Sequence, residues 1–333
     1  MSKGYGVRSF LAAITMFGLL SGSAGAQSTG ASAASYPNKT IKIIVPYPAG
    51  GTSDVLARMI GNDLGTAWKT TVIVENKTGA SGMIGNDLVA KAAPDGYTIL
   101  MGIATLLQGP HMFPSIPYDF KRDLIPLALV AKSTNLLVIP ARFPAKNFEE
   151  FVKVVKANPG KYSYGSYGAG TTAHIHGETL KNQAGLDMIH VPYKGGSPLM
   201  TDMLGGQLDA AFIDVGNVKA SLKSDKIRII AITGEERLKL IPEVRTLTEM
   251  GFKDFEPYPF FALYLPAGTP QPIVDKLGKE INSIIVNPAN SAKIEELGLQ
   301  PSGQIGQQFK DTVTRDYDTW GNVIKAGKIK LEQ

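Results

Sequence analysis

Apolar positions alternate between two rhythms along most of the chain. Residues 40–47 (Thr-Ile-Lys-Ile-Ile-Val-Pro-Tyr) form a β-branched run that stops at Pro48-Ala49-Gly50-Gly51, and residues 52–68 then space their apolar side chains as an amphipathic helix does. A strand at 70–75, a helix at 82–93 and a strand at 97–102 follow, with Pro94-Asp95-Gly96 breaking the chain before the last. That order predicts a mostly parallel sheet covered on both faces. After strand-like runs at 125–131 and 136–140, a second series repeats the alternation. Its helices are expected at 147–157, 171–183 and 198–204, and its strands at 162–166, 188–193, 208–214 and 227–233.

The C-terminal part breaks this rhythm. The Pro- and aromatic-rich stretch 255–265 is too long for one ordinary strand, and the three helical segments after it, up to Ala326, have no comparable sheet of their own. They are expected to cover the first sheet. The chain would then cross near Leu136 and return near Tyr258, giving one domain from 36–135 with 259–333 and another from 136–258. Two crossovers make a hinge, so the predicted architecture is α/β, a two-domain Venus flytrap of the periplasmic-binding-protein kind. A chain of 333 residues is long enough for two such domains.

The N-terminus changes the picture of where the chain works. Lys3 and Arg8 precede an apolar stretch at 10–20 that is too short to span a bilayer, and Ala24-Gly25-Ala26 has the small-x-small form of a cleavage site. Residues 1–26 therefore read as a signal peptide, cleaved near Ala26, and the Gly/Ala/Ser-rich 27–35 as a flexible tail; the mature protein is expected in a periplasm. The absence of cysteine excludes disulfides, thiolate metal sites and cysteine nucleophiles. A net charge of +5 is spread over singly placed Lys and Arg, without the basic runs that a nucleic-acid partner would need.

Two breaks share one design. At Pro48-Ala49-Gly50-Gly51-Thr52-Ser53-Asp54, and again at Ser166-Tyr167-Gly168-Ala169-Gly170-Thr171-Thr172, a strand ends in glycines and a helix opens with hydroxyl residues. Each presents free backbone N–H groups and the positive end of a helix dipole at the carboxyl end of a strand, where α/β sheets bind anions. Asp54, in a first helical turn, reads equally as a cap and as a ligand contact. Asp214, closing a strand of the second series, lies where it would accept a hydrogen bond from a ligand or hold the hinge.

These motifs resemble those of the Bug family, the periplasmic solute-binding component of tripartite tricarboxylate transporters. The resemblance runs from about Tyr36 to the end and includes the segment 46–54, Val74-Glu75-Asn76 with Gly79-Ala80-Ser81-Gly82, 91–97, Gly165 to Thr172 with His174, 190–195 and Phe212-Ile213-Asp214. It implies a clamshell that grips a ligand carboxylate through main-chain groups of the two Gly-rich loops and bridging waters, and membrane permease subunits as partners. Tyr47, Ala49, Gly51, Thr52, Ser53, Asp54, Thr105, Leu106, Ser166, Ala169, Gly170, Thr171, Thr172 and Asp214 are the expected ligand-binding residues. Members of the family often carry polar residues after the third strand, whereas this chain has Ile103-Ala104-Thr105-Leu106-Leu107-Gln108. That departure favours a dicarboxylate or an aromatic or alkyl carboxylate over citrate.

Enzymatic readings find less support. Gly168-x-Gly170-x-x-Ala173 imitates a dinucleotide fingerprint, but Tyr193-Lys194 stand where its acidic residue belongs. No Walker A or G-x-S-x-G pattern occurs. His174 and His176, two apart on a helix, face away from one another and make a poor metal pair. The expectation is a monomeric binding protein without cofactor, metal or catalysis. Its alternative is a periplasmic sensor that presents the same ligand-bound form to a signalling partner.

Overall fold

The computed structural model describes residues 35–255 and 258–331. The proposed signal peptide and all but the last residue of the tail lie outside the described residues. In chain order the first elements are β1 (Ile41–Val45), α1 (Thr52–Trp68), β2 (Val72–Asn76), α2 (Met83–Ala90), β3 (Thr98–Ile103), α3 (Thr105–Met112), α4 (Phe120–Asp123) and β4 (Leu124–Lys132). The middle of the chain forms β5 (Asn135–Pro140), α5 (Phe148–Lys156), β6 (Tyr162–Ser166), α6 (Thr172–Ala184), β7 (Met188–Pro192), α7 (Gly196–Leu204), β8 (Ala210–Asp214), α8 (Val215–Val218) and β9 (Ile227–Ile232). The remainder forms β10 (Phe260–Pro266), α9 (Gln271–Val286), α10 (Pro288–Glu296), β11 (Gln300–Ile305) and α11 (Gly306–Ala326).

Two sheets result, with strand orders β11-β4-β10-β3-β1-β2 and β7-β6-β8-β5-β9. Each is less parallel than the alternation of elements predicts. β1 runs parallel to β2 and β3, and β6 to β7 and β8, but β10 is antiparallel to β3 and β4, and β5 to β8 and β9. The reason is topological. β5 and β10 each arrive from the other sheet, so they enter at the end where the parallel strands leave and must run against them. Both are buried along their whole length, as central strands are, and this explains their unbroken apolar runs Leu-Leu-Val-Ile and Phe-Phe-Ala-Leu-Tyr-Leu.

The helices cover these sheets with one apolar stripe each. α1 buries Leu56, Ala57, Ile60 and Leu64. α9 packs on β4 and β11, and α11 on α3 and β4. A contiguous core runs under both sheets, and a second cluster joins Ile44, Leu100, Leu106 and Leu107 to Phe309, Trp320 and Ile324. Residues at or just after the ends of β1, β3, β6 and β8 come together at one place.

Candidate functional site

A cavity of about 40 Å³ lies where these loops meet. The loop after β1 supplies Tyr47, Pro48, Gly51, Thr52 and Ser53, that after β6 supplies Tyr167 and Thr172, and Gly196, Asp214 and Asn217 complete the polar part. The rest of the lining is apolar: Ile103 and Ala104 from the end of β3, and Pro259, Phe260 and Phe261 from the start of β10.

Helix ends aim at this space because the chain leaves them uncapped. α1 begins after Gly51 and α6 after Thr171, both in extended conformation, and neither end receives a side-chain hydrogen bond; the same holds for α7 after Gly195. By contrast α5 and α10 are capped by Asn147 and Asn287. First-turn N–H groups in the former helices have no side-chain acceptor and are available to an anion.

The two loops are held in shape by their own polar groups. Asp54 folds back on the first one: its carboxylate accepts from the Gly50 N–H at 3.0 Å, from Arg58 Nε and Nη2 at 3.0 and 2.9 Å, and from Asn76 Nδ2 at 3.0 Å. Burial by itself would raise its pKa, but the hydrogen bonds from Arg58, Gly50 and Asn76 outweigh burial and hold it below the ordinary value. In the second loop Ser166 Oγ donates to Gly168 O (3.0 Å) and Thr171 Oγ1 donates to the same oxygen (2.6 Å). The Gly170 N–H, at a φ of +72° that suits glycine, donates to His174 Nδ1 at 3.1 Å.

Polar contacts also bridge the two sheets. Thr52 Oγ1 donates to Asp214 Oδ1 at 2.7 Å and accepts from Asn217 Nδ2 at 3.0 Å. The Asn217 carboxamide also donates to the other Asp214 oxygen, and its N–H to the first at 3.3 Å, so Asp214 caps α8. Burial raises the Asp214 pKa, against the opposing pull of Thr52 and Asn217. Beside this latch, Gln108 Nε2 of α3 donates to Thr172 Oγ1 at 2.7 Å.

Of the residues singled out in the sequence, Tyr47, Gly51, Thr52, Ser53, Thr172 and Asp214 stand on the cavity wall. Asp54, Ser166 and Thr171 are buried behind it, holding the loops. Ala49 is exposed off the wall, Ala169 lines a neighbouring hollow with Tyr193 and Lys194, and Gly170 lies against Phe113. Thr105 and Leu106 open α3, and Leu106 is buried in the core with Ile44 and Leu100; neither is among the residues that line the cavity. The sequence reading missed Asn217, Gln108 and the Phe260–Phe261 wall. The Asp214-x-x-Asn217 spacing of a capped turn was the available signal for the first.

The histidines serve packing. His174 stacks on His190 at 4.0 Å between ring centres, and burial lowers its pKa to about 4. His176 points the other way, into Phe255 and Trp320, with Asn135 Nδ2 at 3.2 Å from its Nδ1, and burial lowers it to about 3.

Known proteins share this sequence pattern and fold. The sequence profile described as "Tripartite tricarboxylate transporter family receptor" matches residues 56–329. Protein BugT of Bordetella pertussis is 32% identical over 303 residues, covering 90% of this chain and 93% of BugT. The periplasmic binding protein BugD superposes with a TM-score of 0.84 at 30% identity, over 89% of this chain and all (100%) of BugD. An R. palustris protein solved with adipate gives 0.85 at 27% identity, over 89% and 99% of the two chains. MatC from Rhodopseudomonas palustris, with bound malate, gives 0.82 at 27%, over 87% and 100%. Sequence and fold agree, and the chain belongs to the family of tripartite tricarboxylate transporter receptors, the Bug-type solute-binding proteins.

Proposed function

We propose that this protein is a periplasmic receptor that closes around a small carboxylate and hands it to the membrane subunits of a tripartite transporter. The observation that carries the reading is the pair of uncapped helix starts, at Thr52 and Thr172, that line one cavity. Main-chain N–H groups there, with the hydroxyls of Thr52, Ser53 and Thr172, would hold the carboxylate, while Asp54, Ser166 and Thr171 keep the loops in shape. The adipate and malate in the structural neighbours are compatible ligands for such a site. Residues 36–135 with 259–333 would move as one lobe and 136–258 as the other, about the crossings β4 to β5 and β9 to β10, with the ligand favouring the shut form through contacts that only the shut form makes.

The test is a thermal-shift and calorimetric screen of the chain from Gln27 onward against mono-, di-, tri- and aromatic carboxylates. A ligand at 100 times its dissociation constant stabilises the native state by about 2.7 kcal/mol, a readily measured shift. Failure of every carboxylate, with the protein folded, would defeat the proposal.

A further inference from the structure

We infer that ligand binding takes up a proton: Asp214, a carboxylate in the cavity wall, is ionised in the empty protein and becomes the neutral acid when a ligand carboxylate enters. The inference rests on the proposal that the cavity takes a carboxylate, and concerns how the protein accommodates that charge. Asp214 closes β8, is 5% exposed and lines the cavity. With a volume of about 40 Å³, the cavity leaves an anion inside it little distance from Asp214. Among the described residues that line it, none is Lys, Arg or His, so no side-chain cation there balances a second negative charge.

Charged and titratable groups on the surrounding elements are committed elsewhere. On α1, Arg58 pairs with Asp54 at 2.9 Å. On α6, burial holds His174 and His176 neutral down to about pH 4 and pH 3, and Lys181 pairs with Glu178. Asp202 of α7 accepts from the Tyr193 hydroxyl, β5 carries no titratable side chain, and Lys219, next after α8, is not on the cavity wall. Burial keeps the Tyr47 and Tyr167 phenols protonated, and at Tyr167 the charge of Asp214 adds to the effect. What holds the Asp214 charge in the empty protein is therefore neutral: the Thr52 hydroxyl and the Asn217 N–H donate to one oxygen and the Asn217 carboxamide to the other. Burial outweighs these bonds and raises the Asp214 pKa. A ligand carboxylate in the same buried space raises it further, because like charges that share a site do not both ionise. The proton comes from solvent, and the new O–H turns Asp214 into a donor from which a ligand oxygen can accept. With the bound-state pKa the higher of the two, affinity is full below the empty-protein value and falls as pH rises between the two values, by up to about tenfold per pH unit.

Hexanoate, adipate and benzoate are suitable probes, since none carries an amine that could neutralise Asp214 directly. Each is titrated calorimetrically into the protein from Gln27 onward at pH 7.5, in potassium phosphate and in Tris, whose heats of ionisation differ, so that the change in observed heat between buffers counts the protons. A probe that binds is expected to bring in close to one proton, and to lose about tenfold in affinity between pH 6.5 and pH 8.5. Asp214→Asn is close in shape, already uncharged and an equally good helix cap. It is expected to take up no proton, to bind with the same affinity at both pH values, and at pH 8.5 to bind at least as tightly as the parent; a residue that only caps α8 or latches the sheets would give weaker binding at either pH. A parent that takes up no proton and binds equally at both pH values overturns the inference and leaves carboxylate binding intact. So does undiminished proton uptake in an Asp214→Asn protein whose circular dichroism spectrum is that of the parent, or an affinity that depends on added sodium and not on pH. Should the variant not fold, the proton count of the parent decides alone. No binding by any of the three probes removes the function on which the inference rests.

Discussion

At the scale of single residues, the α6 loop separates main-chain binding from side-chain binding. Thr172 contributes one hydroxyl, which already accepts from Gln108, whereas Gly170 contributes a backbone conformation: its φ is +72°, and a Cβ there would stand 2.6 Å from Phe113 Cε2. Thr172→Ala is therefore expected to weaken ligand binding by the ~0.5–1.5 kcal/mol of one net hydrogen bond. Gly170→Val combines a disfavoured φ with a steric clash and is expected to cost over a hundredfold in affinity. Calorimetry on both variants, after circular dichroism has checked folding, decides the matter. A folded Gly170→Val that binds like the parent would reduce this loop to a structural turn.

At the scale of elements, α6 makes the protein sensitive to acid. It carries His174 and His176, which burial holds neutral down to about pH 4 and pH 3. In the unfolded chain each takes up its proton near pH 6.5. Because the folded values are depressed, the stability these residues contribute is fully present above pH 6.5 and is lost as pH falls towards the folded values, at up to about 1.4 kcal/mol per pH unit for each. Urea midpoints are expected to drop between pH 7 and pH 5, and His176→Gln to flatten the slope. A level profile over that range would refute the assignment of neutral, buried histidines.

Elements also show what a sequence discloses. α1 and β6 agree with expectation at both ends, since a glycine break, a hydroxyl start and a clear apolar spacing mark the helix, and a short β-rich run marks the strand. α3 was unreadable because Gly109 and Pro110 interrupt it and its first turns are buried all round, which erases any amphipathic rhythm. β11, Gln-Pro-Ser-Gly-Gln-Ile, hides because it is an edge strand pairing only with β4, where Pro and Gly are tolerated. In the site the same division holds. Glycine loops are local and legible, but Phe260 and Phe261 reach the cavity through the insertion of β10 between β3 and β4, a pairing that no local pattern announces.

At the scale of the whole molecule, polar side chains join the two sheets, Thr52 meeting Asp214 and Asn217. Thr52→Val would remove the donor to Asp214 and the acceptor for Asn217, leaving a buried carboxylate short of one charge-assisted bond worth about 1.5–3 kcal/mol. The radius of gyration of the ligand-free variant, measured by small-angle X-ray scattering, is expected to exceed that of the ligand-free parent. Equal radii would mean that the latch does not hold the halves together. The same latch has a bearing on traffic at the membrane. If an empty receptor can shut, it offers the permease an outline close to that of a loaded one, and empty copies then compete for docking places. Uptake under the proposed role would depend on the fraction of receptor that is loaded rather than on its amount, so at scarce solute, making more receptor would slow transport.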